Sequence, residues 1–434
     1  MKAIKEGLIF SLFVNTFLIC PQFVTGQNKS VLLMNGYAHL GNGKVIENSV
    51  IGIKDGKIVM VADARVIKLN PKGFDTVINL SGKQVYPGII APNSTIGLVE
   101  MEAVRASNDI EEVGSINPNV RSQDAYNADS KIIPTIRSNG ILIAQVCPRK
   151  GLLPGTSSIF ELDGWNWEDA LLKGDDGVQL NFPHLPIEKM QVDPPVLAEK
   201  KVLYEKELQN LKKFFLDAKA YKEVENQEEK NLRFEAMKGV FDGSRKLFIH
   251  VDYAKDIITA ISFIKELGIK SPVIVGAKDA WLVMGLLKEN NLPVMLGRVH
   301  DLPLRPDDDT DMPFKLPSIL QKAGILFCLQ NEGDMEVMNS RNLPFLAGTA
   351  EAYGLTKEEA LTAITLSPAQ ILGIADKVGS LETGKEATLF VSNGDALEMK
   401  SNQVALVYIR GKQIDLNNEQ KDLYEKYKKK YGLK

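Results

Sequence analysis

The sequence at residues 85–95 is Val85-Tyr86-Pro87-Gly88-Ile89-Ile90-Ala91-Pro92-Asn93-Ser94-Thr95, and it decides the fold. An apolar run passes through a Pro-Gly step and then turns abruptly polar. On a strand, residues two positions apart project to the same side, so Asn93 and Thr95 share one face. The pattern predicts a buried strand that ends in a pair of polar side chains.

Strands and helices alternate further along the chain. Strand-like runs begin near residues 246, 272, 293 and 325, at the spacing of repeated β-α units. An apolar stripe predicts a helix over 254–267 that ends at Gly268, and residues 279–288 predict the next helix. Thr356-Lys357-Glu358-Glu359 is a capping box that opens another helix, and Pro368 suits a short helix ending at Gly373. We therefore expect strand, helix, strand from residue 87 onward.

The segments before and after this alternating region have β character instead. Asp55-Gly56 separates two alternating runs and is a strong hairpin signal. Residues 387–391 and 404–409 predict two more strands near the carboxyl end. Residues 416–434 are rich in Lys and Glu and predict a solvated terminal helix.

The stretch 85–95 resembles the first barrel strand of the amidohydrolase superfamily, the imidazolonepropionase-like hydrolases. In that family a Pro-Gly pair leads into Asp-x-His-x-His, and the matching positions here are Ala91, Asn93 and Thr95. Later segments resemble the family in the same order, and they are residues 137–148, 155–164, 350–360, 367–373 and 379–385.

The resemblance covers nearly the whole mature chain and implies an α/β fold. It implies a TIM-type (β/α)8 barrel over 87–377 and a small β-sandwich domain built from 27–86 and 378–415. Residues 416–434 would form a charged C-terminal tail.

The resemblance also implies an activity and a metal. Family members hydrolyse non-peptide C–N bonds, in cyclic amides or amide-like substrates, with a metal-bound hydroxide. Four histidines and a last-strand carboxylate serve as ligands there. Three of the matching histidine positions here are Asn93, Thr95 and Gly276, and His250 alone keeps the imidazole. Amide and hydroxyl oxygens are poor zinc ligands, so we expect no tight binuclear zinc site.

The candidate catalytic residues are His250, Asp252 and Glu332. His250 ends a predicted barrel strand, where catalytic groups lie in this fold, and Asp252 follows two residues later. The last-strand aspartate falls near Asn331 or Glu332, and the sequence does not choose between them. His250 is the metal ligand if one divalent ion, such as zinc, binds weakly.

Two interpretations of His250 stay open. In one, it forms a weak mononuclear site with Asp252 and with His184 or Glu332. In the other, it is a core histidine hydrogen-bonded to Asp252.

The remaining polar features favour structural roles. His39 lies in the predicted sandwich, His184 follows a strand-like run, and His300 resembles no family ligand. The charged stretch 195–242 predicts helix with one apolar side. It is interpreted as a barrel helix with a solvated face or as an oligomer or lid element. An acidic cluster is expected to be a solvated loop, and its members are Asp307, Asp308, Asp309 and Asp311.

Composition narrows the class of partner. The chain has 434 residues, of which 44% are hydrophobic and 25% charged, as in ordinary globular proteins. A net charge of -3 gives no reason to expect nucleic acid or an anionic membrane surface as a partner. We expect a small-molecule substrate or ligand.

The first 26 residues resemble a secretory signal peptide. They have a basic start and an apolar core too short for a comfortable membrane span. We therefore expect an exported protein, periplasmic or extracellular in a bacterial source, that begins at Gln27. Only Cys147 and Cys328 remain in the mature chain, and both lie in apolar runs that predict buried thiols.

Two hypotheses about function follow. The first is an exported hydrolase of C–N bonds with a reduced or metal-free site. The second is a catalytically inactive paralogue that binds a small molecule or a partner, such as an active paralogue or a second copy of itself. The sequence supports the first through family resemblance and the second through the lost histidines.

Overall fold

The structure is a computed structural model that describes residues 29–68, 70–185, 194–224 and 229–433. The expected signal peptide, residues 1–26, lies outside the described residues. Within the described ranges, no helix is long and apolar enough to cross a membrane.

The strands of the described chain form two sheets. In chain order they are β1 Val31–His39, β2 Val45–Lys54, β3 Lys57–Asp63, β4 Thr76–Asn79, β5 Gln84–Pro87, β6 Ile89–Ser94, β7 Ile141–Val146, β8 Thr156–Glu161, β9 Leu171–Asn181, β10 Lys246–Val251, β11 Pro272–Gly276, β12 Val294–Leu296, β13 Phe327–Leu329, β14 Leu389–Ser392, β15 Val404–Ile409 and β16 Lys412–Gln413.

The helices vary greatly in length. In chain order they are α1 Ser122–Ala125, α2 Ile132–Arg137, α3 Trp167–Ala170, α4 Pro194–Glu223, α5 Leu232–Asp242, α6 Ala254–Leu267, α7 Met284–Glu289, α8 Met312–Ala323, α9 Glu336–Asn339, α10 Leu343–Ala352, α11 Lys357–Thr362, α12 Leu366–Leu372 and α13 Glu419–Lys430.

The first sheet joins the two ends of the chain. Its order is β16-β15-β14-β5-β1-β2-β3, with β4 beside β1. β2 and β3 pair antiparallel across the predicted Asp55-Gly56 turn, where both residues have positive φ. β5 pairs antiparallel with β14, so the amino-terminal strands complete one layer with the carboxyl-terminal ones. The small β-sandwich predicted from both ends is confirmed.

The second sheet is a nearly closed barrel in the order β13-β12-β11-β10-β9-β8-β7-β6. Residues 363–364 fill the seam between its two edge strands. The N–H of Ile90 in β6 donates to the carbonyl of Ile364 at 3.0 Å, and that of Leu329 in β13 donates to the carbonyl of Ala363 at 3.0 Å. The predicted (β/α)8 barrel class is confirmed.

One quarter of the barrel departs from the expected strand-helix alternation. β8 pairs antiparallel with both β7 and β9, whereas β6–β7 and β9 through β13 pair in parallel. The connections 147–155 and 162–170 are too short for the crossover of a dozen or more residues that parallel neighbours need. The chain therefore turns back on itself twice in this region.

The barrel elements of the second half follow the sequence closely. β10 and α6 have the predicted bounds, and Gly268 ends α6 in the left-handed conformation. The Thr356 capping box and the helix ending at Gly373 are confirmed. The helix predicted over 279–288 is interrupted, because Val283 has φ -126 and ψ 18 and separates a 3-10 turn from α7.

The charged stretch 195–242 forms α4 and α5. Leu211 and Phe215 of α4 are fully buried, and the Phe215 ring contacts Phe263 of α6 edge-on at 5.1 Å between centroids. Leu203, near the start of the helix, is exposed. The later turns of α4 therefore pack on the barrel as a barrel helix does.

Candidate active site

Polar side chains converge at the carboxyl ends of the parallel barrel strands. A cavity of about 590 Å³ opens there, and a second of about 240 Å³ adjoins it. Asp252 and Glu332 line both cavities. This end of the barrel is where active sites of this architecture lie.

Asp252 and Glu332 come from two strands of the barrel that are separated by β11 and β12. Asp252 follows β10 and Glu332 follows β13. Burial, together with the negative charge of Asp252, raises the pKa of Glu332 to about 7, against the opposing charges of Arg149 and Lys278. Burial also raises the pKa of Asp252, whose charge Lys278 helps to stabilise. The two carboxyls therefore favour holding a proton between them near neutral pH.

Asp252 has spare hydrogen-bonding capacity. Its buried Oδ1 atom has no hydrogen-bond partner among the described residues. A buried carboxylate oxygen without a donor is costly in a folded protein. It is therefore a candidate contact for a ligand or a water molecule.

Two glycines make room for these carboxyls. A Cβ at Gly276, at the end of β11, would lie 2.5 Å from Oδ1 of Asp252. A Cβ at Gly297, just after β12, would lie 2.9 Å from Oε1 of Glu332. Position 276, where the family has a histidine, therefore has no space for a side chain while Asp252 keeps its place.

The first-strand positions belong to a hydrogen-bonded network rather than to an open ligand set. Arg149, just beyond β7, donates from Nη1 to Oδ1 of Asn93 and from Nη2 to the backbone carbonyl of Asn93. Glu336 accepts from the Thr95 N–H at 2.9 Å and from its hydroxyl at 2.6 Å. Ser94 and Ser340 donate to the other Glu336 oxygen, each at 2.8 Å. All five oxygen-bearing side chains of this network are largely buried.

His250 connects to a second buried chain of polar groups. Ser157 donates its hydroxyl hydrogen to Asp176 at 2.6 Å and accepts from Nε2 of Gln179 at 2.8 Å. The carbonyl oxygen of Gln179 thus faces Nε2 of His250 at 2.8 Å, so that ring nitrogen carries the hydrogen. Gln145 extends the chain from Asp176 to the N–H of Asn93.

This bonding settles how His250 is held. Burial and the charge of Arg149 lower the pKa of His250 to about 3, so the ring is neutral near physiological pH. The expected hydrogen bond from His250 to Asp252 is wrong, because Gln179 takes the Nε2 hydrogen. A ring with this pKa does not act as a general base near neutrality.

Two cationic side chains, Lys278 and Arg298, also line the larger cavity. Lys278, two residues beyond β11, forms an ion pair with Asp301. Arg298, just beyond β12, has a buried Nε atom with no hydrogen-bond partner in the described part of the chain. Both side chains lie within reach of the volume that Asp252 and Glu332 border.

The structure separates the two alternatives for the last barrel strand. Glu332 lines the cavities, whereas Nδ2 of Asn331 donates to the backbone carbonyl of Glu336 at 3.4 Å. Glu332 is therefore the carboxylate that β13 brings to this site.

The other histidines have local partners. His39 contacts Glu358 at 2.6 Å and Gln84 at 2.9 Å in the first sheet. His184 contacts Asp256 at 2.6 Å and stacks on Tyr253 at the edge of the smaller cavity. His300 contacts the Thr349 hydroxyl at 2.6 Å, away from both carboxyls.

Sequence reasoning missed Arg149, Lys278, Arg298 and Glu336. A usable signal existed for the first three, since each follows a barrel strand within three residues. Glu336 carried no such signal, because it opens the four-residue helix α9 and reaches the site through its side chain alone.

Comparison with known proteins agrees with this geometry. The amidohydrolase family model matches residues 309–414. An amidohydrolase from Thermotoga maritima MSB8 superposes with a TM-score of 0.75 at 25% identity, over 89% of this chain and 99% of that one. The family-model match is confined to the carboxyl-terminal part of the chain, whereas the structural similarity extends over nearly all of it.

More distant structures share the fold of this chain. Molinate hydrolase superposes with a TM-score of 0.55 at 14% identity, over 90% of this chain and 95% of that one. A zinc-bound adenosine deaminase from Xanthomonas campestris gives 0.53 at 15%, over 92% and 97%. No curated protein matches the sequence significantly.

The strand ends of this chain do not fit the divalent metal that the family resemblance implies. Across the ranges that the structure describes, no three His, Cys, Asp or Glu side chains are grouped to hold an ion. The amide oxygen of Asn93 binds Arg149, Thr95 binds Glu336, and the Nε2 of His250 is a donor. The mononuclear site considered for His250 and Asp252 with His184 or Glu332 is thus not formed by these residues.

Both cysteines are buried and unpaired. Burial raises the pKa of the Cys147 and Cys328 thiols well above their usual range, so neither supplies a thiolate. The prediction of buried thiols is confirmed.

Proposed function

We propose that this amidohydrolase-family hydrolase cleaves a C–N bond in a small amide-like molecule, a cyclic amide among them, with Asp252 and Glu332 as its acid–base pair. One observation carries the proposal. Two buried carboxyls from different strands border the same cavity, burial disfavours the ionisation of both, and the charge of Asp252 further disfavours that of Glu332. Such a pair holds one carboxylate and one carboxylic acid at the same pH.

The chemistry follows from that shared proton. The carboxylate takes a proton from a water molecule while the water oxygen attacks the carbonyl carbon of the substrate. The carboxylic acid gives its proton to the nitrogen as the C–N bond breaks. The products are a carboxylic acid and an amine, and the pair again holds one proton.

Other groups orient the two carboxyls and do not themselves transfer protons. Gln330 donates to Oε2 of Glu332 at 3.3 Å, and the Lys278 charge faces Asp252. His250, a candidate catalytic residue by sequence, is assigned a positioning role through Gln179. No step requires a metal ion, so the proposed site is a reduced one.

Export belongs to the same proposal. We assign the mature amino terminus to Gln27, which places the enzyme in the periplasm or outside the cell. Intact mass of the protein recovered from an exporting host tests this directly, since cleavage after Gly26 gives one defined mass.

The deciding experiment is a hydrolysis screen on the purified protein with cyclic amides and short amides, before and after chelator treatment. We expect turnover that survives the chelator, and loss of at least about a hundredfold in kcat for Glu332→Gln and for Asp252→Asn. Asp309→Asn, a half-exposed carboxyl paired with Lys315, is the matched control and should keep full activity.

Two results would reject this function. Turnover lost with stoichiometric zinc would assign the chemistry to a metal. A protein inactive on the whole panel that co-purifies with a second barrel protein would favour the non-catalytic paralogue.

A further inference from the structure

We propose that the guanidinium of Arg149 is the resident cation of this site and that it excludes a divalent metal ion from the barrel mouth. The side chain is held in place by both the amide oxygen and the backbone carbonyl of Asn93. Its Nη2 atom also lies 3.8 Å from Oε2 of Glu336. A guanidinium held by two hydrogen bonds and one ion pair presents its positive charge at one fixed position.

The charge of Arg149 acts at three strand ends. Asn93 at the end of β6 touches it directly. The charge of Arg149 also acts on His250 at the end of β10 and on Glu332 beyond β13. These are the strand ends that would have to surround a bound metal. Because Coulomb repulsion rises steeply at short distance, a doubly charged ion among these residues would be strongly disfavoured.

The guanidinium also faces the ligand space. Arg149 lines the larger cavity beside Asp252 and Glu332. It has five N–H groups, and apart from the two on Asn93 none has an acceptor within hydrogen-bonding distance among the described residues. Those N–H groups can donate to a carbonyl or carboxylate oxygen of a ligand. They would polarise that oxygen in the way that a metal ion otherwise would. This ligand role rests on the proposed function, whereas metal exclusion does not.

Zinc titration calorimetry on the chelator-stripped protein tests the proposal without any substrate. We expect wild type to bind no stoichiometric zinc. Arg149→Met should gain zinc affinity by at least about tenfold, because it removes the positive charge that opposes a cation beside the carboxyls of Asp252 and Glu332. Arg149→Lys keeps a positive charge and should behave as wild type.

Lys150→Met is the matched control. It removes a neighbouring positive charge at the rim of the same cavity, where Lys150 pairs with Glu111 at 2.8 Å, and it should leave zinc binding unchanged. One-to-one zinc binding by wild type that is lost in His250→Ala would overturn the proposal. So would an Arg149→Met protein that folds and binds zinc no more tightly than wild type. Should that variant fail to fold, the wild-type and Arg149→Lys titrations still decide.

Discussion

Replacing Glu336 by alanine should destabilise the protein far more than the short length of its helix, α9, suggests. Its carboxylate is largely buried, and each oxygen accepts two hydrogen bonds. One oxygen binds the hydroxyls of Ser94 and Ser340, and the other binds the N–H and hydroxyl of Thr95. The side chain thereby ties α9 to the end of the first barrel strand.

The magnitude follows from what alanine would leave behind. Hydrogen bonds to a charged acceptor contribute about 1.5 kcal/mol or more each, and buried donors left without a partner cost about 1–3 kcal/mol. Hydroxyls can turn toward other acceptors, but the Thr95 N–H cannot. We therefore expect Glu336→Ala to lower the free energy of unfolding by about 3–5 kcal/mol.

Glutamine provides an internal comparison. Its amide oxygen can still accept both Thr95 donors, while its nitrogen can donate to the two serine hydroxyls. Glu336→Gln should therefore cost only about 1 kcal/mol. Glu47→Ala, which removes an exposed carboxyl from the first sheet, should lie within about 0.5 kcal/mol of wild type.

Urea unfolding followed by tryptophan fluorescence and by circular dichroism measures these differences, provided the two transitions coincide. The reasoning fails if Glu336→Ala costs less than about 1 kcal/mol. It also fails if glutamine is as damaging as alanine, since the loss would then reflect the charge rather than the hydrogen bonds.

Three further predictions concern the proposed acid–base pair and its surroundings. Gly276→Ala should lower the free energy of unfolding by about 1–3 kcal/mol in the same urea assay. The new Cβ would meet Asp252, and the backbone φ of residue 276 is +88. An unchanged unfolding midpoint would contradict this. Since the pKa of Glu332 is raised from 4.5 to about 7, its stabilising contribution is complete below pH 4.5 and is lost as pH rises through 7. Glu332→Gln should therefore gain on the order of 2 kcal/mol over wild type between pH 5 and pH 8, and a constant difference would refute the shift. Nitrogen NMR of His250 should show a neutral ring with hydrogen on Nε2 from pH 5 to pH 8, whereas a titration midpoint near 6.5 would show that it is not buried as described.

The barrel was predictable because short stretches of sequence are enough to identify its strands and helices. The alternation from Lys246 to Leu329 and the left-handed glycine after α6 are set by residues close together in sequence. The antiparallel β8 was not predictable in the same way, because its apolar pattern is compatible with either direction. Only the short connections at 147–155 and 162–170 carry that information.

The site was predictable in part. Glu332 and Asp252 were found because they follow barrel strands, and the structure brings both to one cavity. The bonding of His250 was missed because Gln179 and Ser157 lie on separate strands that pair side by side only in the fold. Gly276 shows the limit most clearly. In the sequence, Gly276 is a position where the family's histidine ligand is missing. In the structure, the absence of a side chain there leaves the space that the Asp252 carboxyl occupies.

The seam at residues 363–364 also has a consequence for how the chain is made. β6 closes the barrel only against this segment, and β5 completes the first sheet only when β14 arrives. A growing chain therefore leaves the ribosome with both sheets open and their edge strands unpaired until nearly all of it has emerged. Contacts that span so much of the sequence are slow to form, and exposed edges favour aggregation. Translation of this protein should consequently place a heavy demand on holding chaperones, and truncation before Leu389 should yield chains that never become protease-resistant.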